Sequence, residues 1–154
     1  MPLVYRLVRK KHAKPADLLS GAGAALLGGR WNEKGTRLIY ASSHVSLVVL
    51  ETLVHANVLP KDMVLVSLEI PDDVAIRRWL PKSLHRSWAD YPFGAAAQKR
   101  GTTWAKRGNE LAIGVPSAVV RSEWNCLVNP MHADIAQIEA KVLGRFRFDP
   151  RLGL

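Results

Sequence analysis

The sequence predicts an α+β domain, on three observations. Short apolar runs of strand length recur along the whole chain, and only two or three stretches carry helical apolar spacing. The two kinds do not alternate regularly, as a doubly wound parallel sheet would require. The 154 residues are expected to form one domain, 1–154, large enough for a proper core.

"LVYRLV" opens the chain as a strand, Tyr5 and Leu7 alternating with Val4 and Arg6. Lys14 to Gly35 reads as loop, with one helical turn at "PADLLS". "RLIYA" (37–41) is a short buried strand. "SSHVSLVVLETLVHAN" (42–57) is a helix that Ser42 or Ser43 can cap, with Leu47, Leu50 and Val54 on its apolar face. "MVLVSLEIP" (63–71) is the clearest strand, and "VAIRRWL" is another. Phe93 to Arg107 is partly helix-prone, weakened by Gly101 and the Thr102-Thr103 pair. "LAIGVPSAVVR" (111–121) reads as two strands broken at Val115-Pro116-Ser117, because proline cannot donate to a central ladder. "NCLVNP" is a strand entering a turn, "ADIAQIEA" a short helical piece and "VLGRFRF" a closing strand.

Composition narrows the function classes. Hydrophobic residues at 48% and charged residues at 23% are ordinary for a globular chain and argue against disorder. A single cysteine, Cys126, rules out an internal disulfide and argues against a cysteine-built zinc site. The histidines lack metal-ligand spacing, and no Walker, GxGxxG or GxSxG pattern occurs. No cofactor or metal is expected. The N-terminal charges follow the apolar run rather than precede it, unlike a secretory signal. No apolar stretch reaches the ~18–20 residues of a membrane span, so a soluble, cytoplasmic protein without a membrane partner is expected. The net charge of +9 favours anionic partners. Its basic residues are dispersed, which fits a solvated surface better than a nucleic-acid footprint.

Two places depart from ordinary globular patterning. "GGRWNEKG" (28–35) sets Arg30 among glycines ahead of an apolar strand. Glycine permits close backbone approach there, and a guanidinium can grip phosphate oxygens two at a time. Arg6 is a second candidate of that kind. Either arginine could equally pair with a structural carboxylate. The other place is Glu51, in a helix apolar nearly all round. A buried carboxylate needs a partner or a purpose, although a polar stripe shared with His55 would also account for it. Tyr40 could stack on a flat ring or fill core, and Ser117 could contact a substrate or simply make a turn.

Together these stretches resemble the RES domain family, toxins of bacterial toxin–antitoxin pairs with an Xre-type helix-turn-helix antitoxin. The resemblance rests on "YR" (5–6), "GGRWNEKGTRLIYASSHVSLVVLETLVH" (28–55), "VPSAVV" (115–120) and "NCLVNPMH" (125–132). The second stretch is the specific one. The segment from Trp79 to Asn109 fits the family only loosely. The family's name-giving arginine, glutamate and serine fall on Arg30, Glu51 and Ser117. The resemblance implies an ADP-ribosyltransferase-like fold and attack on NAD, which would be substrate and not cofactor. It assigns Glu51, Arg30 and Tyr40 to catalysis, and Arg6, Arg30, Tyr40 and Ser117 to substrate binding. It implies the Xre-type antitoxin as partner, with DNA reached only through it. NAD loss by hydrolysis or phosphorolysis would arrest growth. The alternatives are ADP-ribosyl transfer to a host-cell protein and a non-catalytic basic module binding nucleic acid.

Overall fold

The computed structural model describes residues 2–153. Seven strands form one sheet: β1 (Leu3–Arg9), β2 (Ile39–Ser42), β3 (Met63–Glu69), β4 (Arg77–Arg78), β5 (Ala112–Pro116), β6 (Trp124–Val128) and β7 (Glu139–Phe146). Their spatial order is β4-β5-β6-β2-β1-β3-β7. Every neighbouring pair is antiparallel except β4–β5. Among the described residues four α-helices accompany the sheet: α1 (Pro15–Leu18), α2 (Ala22–Leu27), α3 (Val45–Leu53) and α4 (Ala95–Arg107). The α+β expectation therefore holds.

Both faces of the sheet are covered, so alternate residues of one strand feed different cores. On one face Val4, Val66, Leu68, Ile39, Ala41, Cys126 and Val128 pack with Leu18 and Ile138. On the other, Ile113, Val115 and Leu127 pack with Trp31, Trp79, Trp88 and Trp104. Trp31 lies against Trp79 and Trp88, with ring centroids 5.6 and 6.5 Å apart. This second core joins the 28–35 loop, the 79–88 segment and α4 in one aromatic cluster. The loosely matching segment thus helps shape the site.

Several local expectations need correction. The loop between Lys14 and Gly35 contains α2, whose leucines 26 and 27 remain exposed. β4 is two residues long, and "ADIAQIEA" contributes only a 3-10 turn, Ile135–Gln137. The 111–121 stretch is a single strand ending at Pro116, where the ladder to β6 terminates opposite Trp124. Pro116 costs little there, because the run continues as a turn. In α3 neither serine caps: Ser42 belongs to β2 and bonds Asn125, while Ser43 meets the His44 ring at 3.0 Å. The buried residues of α3 are Leu47 and Val48, whereas Leu50 and Val54 are 40% and 49% exposed. The inward face therefore runs through positions 47, 48 and 51, one turn apart.

α4 is a continuous helix of 13 residues despite Gly101 and the two threonines. Gly101 is the reason the helix fits. A Cβ at that position would lie 1.8 Å from the carbonyl oxygen of Trp31, so only glycine lets the helix touch the loop backbone. Thr102 adds a bond, its Oγ1 accepting from the Glu33 N–H at 2.9 Å.

Candidate functional site

The 28–35 loop is braced from three sides. Tyr40, on β2, accepts the Trp31 N–H at 3.0 Å and donates to Asn32 Oδ1 at 2.6 Å. Burial pushes the Tyr40 phenol above its ordinary value, keeping the proton it donates. Asn32, fully buried, donates from Nδ2 to the carbonyls of Ala24 (2.8 Å) and Thr36 (3.0 Å). α4 supplies the Thr102 contact, and Gln98 Nε2 donates to the Asn32 carbonyl at 3.4 Å. Gly29 is required where Tyr40 crosses: a Cβ there would stand 2.7 Å from the phenolic oxygen.

Arg30 projects from this frame. Its Nη1 donates to the carbonyls of Trp88 at 2.7 Å and Asp90 at 2.9 Å. Nε and Nη2 make no further hydrogen bond among the described residues. Burial holds the guanidinium below its ordinary value, the Glu51 carboxylate acts against that, and Arg121 adds to it. Arg30, Glu51, Tyr40, Asp90 and Arg121 thus share one charge environment.

Glu51 comes from the inward face of α3. Its Oε1 accepts two hydrogen bonds, from Ser117 Oγ and from Asn125 Nδ2, each at 2.7 Å. No hydrogen bond or ion pair to Oε2 occurs among the described residues. Ser117 is wholly buried at the end of β5. Its oxygen also accepts the N–H groups of Val119 and Val120, at 3.1 and 3.0 Å. Asn125 is oriented in turn by Ser42, whose Oγ donates to its Oδ1 at 2.8 Å. The carboxylate is held at one oxygen and presented at the other.

The structure brings Arg30, Tyr40, Glu51 and Ser117 together but leaves Arg6 outside. Arg6 lies opposite Val66 in the β1–β3 ladder, and Val66 belongs to the first core. The Arg6 guanidinium donates to the Leu18 carbonyl at 2.6 Å, on the face of the sheet away from Glu51. Burial there lowers its ordinary value to about 10. Tyr5, one residue earlier, is paired with Ser42 and shares the site's face.

Asn125 and Ser42 escaped sequence reasoning as site residues. The available signal was polarity inside a strand, since Asn125 precedes Cys126-Leu127-Val128 and Ser42 ends an apolar run. The carbonyls of Trp88 and Asp90 carried no such signal. Among the described residues no group of three or more His, Cys, Asp or Glu is placed to hold a metal ion, and no helix is long and apolar enough to cross a membrane.

The mixed seven-stranded sheet and its few helices, which carry the braced arginine and the pinned glutamate, define an α+β protein, consistent with an ADP-ribosyltransferase-like fold. A chain of the Mycobacterium tuberculosis MbcT–MbcA toxin–antitoxin complex has the same fold, with a TM-score of 0.68 at 18% identity over 92% of this chain and 84% of that one. The RES domain family matches residues 3–149, and the chain belongs to that family. It is 38% identical to the Prs ADP-ribosylating toxin of Sphingobium sp. over 152 residues, covering 96% of this chain and 94% of the relative. It is 37% identical to Toxin Res of Yersinia enterocolitica over 153 residues, covering 97% and 99%. These full-length matches place it among the RES toxins.

Proposed function

We propose that this protein is the toxin of a toxin–antitoxin pair and that it cleaves the bond between nicotinamide and ribose in NAD. The observation that carries this reading is the Glu51 carboxylate, pinned through Oε1 by Ser117 and Asn125 and lying in the charge environment of Arg30. Departure of nicotinamide builds positive charge on the ribose, as in other glycosidic cleavages with oxocarbenium-like transition states. Oε2 of Glu51 faces that charge and accepts a ribose hydroxyl. Because Oε1 is already fixed, the carboxylate needs little reorganisation as charge develops. Arg30 binds a phosphate oxygen through its uncommitted Nε and Nη2. Tyr40 holds the loop that aims Arg30, and its ring borders the site.

The acceptor divides two outcomes of one chemistry. Water or inorganic phosphate would give NAD loss, the principal reading. A protein side chain would give ADP-ribosylation, and the Sphingobium relative, named an ADP-ribosylating toxin, supports that second reading. An Xre-type helix-turn-helix protein is the proposed antitoxin. Incubating the purified chain with NAD, with and without phosphate, and following products by mass is the test. Nicotinamide with free or phosphorylated ADP-ribose supports NAD destruction, and ADP-ribose gained by extract proteins supports transfer. Intact NAD with folded, antitoxin-free protein in all mixtures overturns the proposal.

A further inference from the structure

With Arg6 on the far face of the sheet, the second cation that acts on Arg30 is Arg121. Arg121 follows the Ser117–Val120 turn that supports Glu51, and its guanidinium carbon lies 5.4 Å from the centroid of the Trp88 ring. Arg30 donates to the carbonyl of that same tryptophan at 2.7 Å. Trp88 is 7% exposed, anchored in the aromatic core against Trp31. Two like-charged guanidinium groups are therefore mounted on one rigid residue, from opposite ends of the site's sequence. Neither forms an ion pair among the described residues. The carboxylates of Glu51 and Asp90 act on Arg30 without closing on it. Arg121 acts on Arg30 as a like charge, and an anion bound between two like charges relieves their repulsion. One phosphate satisfies one fork; two linked phosphates satisfy both.

We infer that Arg30 and Arg121, set on Trp88, form a paired-guanidinium site that recognises a diphosphate in preference to a monophosphate. This rests on the NAD reading of the same site and assigns its diphosphate-binding half. Arg121 is a substrate-binding residue in it, and the aromatic face of Trp88 fixes its guanidinium by cation–π contact.

The experiment measures the dissociation constants of ADP and AMP by calorimetry for the wild type, Arg121→Ala, Arg121→Lys and Arg100→Ala. Arg100 also sits over a tryptophan, Trp79 at 4.7 Å, and serves as the control for losing a stacked cation. The wild type is expected to bind ADP more tightly than AMP. Arg121→Ala should weaken ADP by about tenfold or more, the scale of a charge-assisted hydrogen bond, and bring the AMP-to-ADP ratio toward one. Arg121→Lys should restore part of the preference, and Arg100→Ala should keep it. An unchanged ratio in Arg121→Ala, equal loss in Arg100→Ala, or no ADP binding by the wild type overturns the inference. NAD turnover measured alongside separates the two claims. Cleavage with an unchanged ratio removes Arg121 alone; a collapsed ratio with intact NAD keeps the diphosphate site and removes the cleavage reading.

Discussion

Glu51 depends on two donors from different places in the chain, Ser117 just after β5 and Asn125 in β6. Replacing it with glutamine keeps the shape but removes the charge, and the new side-chain amide could still meet Asn125 and Ser117 by turning. Turnover of NAD by Glu51→Gln is therefore expected to fall by roughly 100-fold or more, with its melting temperature nearly unchanged. Retained turnover would take Glu51 out of the chemistry. Cys126 makes the opposite kind of prediction. Burial pushes its thiol from near 9 up to about 12. Between those values the unfolded chain loses a proton that the native state keeps, so this group's contribution to stability falls as pH rises above about 9. At pH 8 the thiol should react with a disulfide reagent only after denaturation. Rapid labelling of the native protein would contradict its burial. At this scale the sequence singled out Arg30 and Glu51 through their misfit with glycine and apolar surroundings. It did not single out Asn125, because one polar residue near the start of a short strand is ordinary. Nor did it place Arg6, because both sheet faces are buried and strand alternation then carries no sign.

Helices and loops are where glycine changes its meaning. Gly101 reads as a weakness in a helix, yet it is the contact point between α4 and the carbonyl of Trp31. Gly101→Ala should gain up to about 1 kcal/mol of helix propensity and lose about 1–3 kcal/mol or more to overpacking. It should also displace the loop that carries Arg30. A lower melting temperature together with a raised KM for NAD is the expected pair of results. Gly23, in α2, has nothing within 4 Å of where its Cβ would stand. Gly23→Ala should accordingly stabilise by several tenths of a kcal/mol. If the two variants behave alike, propensity rather than packing governs α4. Strands β1, β3, β6 and β7 were legible from apolar runs bounded by turn residues, and α3 from its spacing. The inward face of α3 was not legible, since six of its nine positions are apolar and Ser46, Glu51 and Thr52 form no single stripe that marks the outside. α2 was hidden by its glycines and by its brevity.

Over the whole molecule, 22 basic residues against 13 acidic ones surround a site whose proposed substrate is anionic. That field raises the local concentration of NAD and is screened by salt. The KM for NAD should rise severalfold between about 50 and 300 mM salt, a range over which screening tightens, while kcat changes little. A salt-independent KM would assign binding to short contacts alone. β2 lies between β1 and β6, and its ladder to β6 joins Ser42 to Asn125, 83 positions apart. Glu51 meets Ser117 and Asn125 across 66 and 74 positions. Long-range pairings of this kind form late, after the loops between them have closed. A nascent chain still on the ribosome with only its first hundred or so residues emerged has the arginine loop and the glutamate helix, but nothing to pin the carboxylate. If Glu51 acts as proposed, the cell making this chain would be exposed to its activity only once the last third has been translated, and a partner that captured the emerging chain would meet it before the carboxylate is fixed.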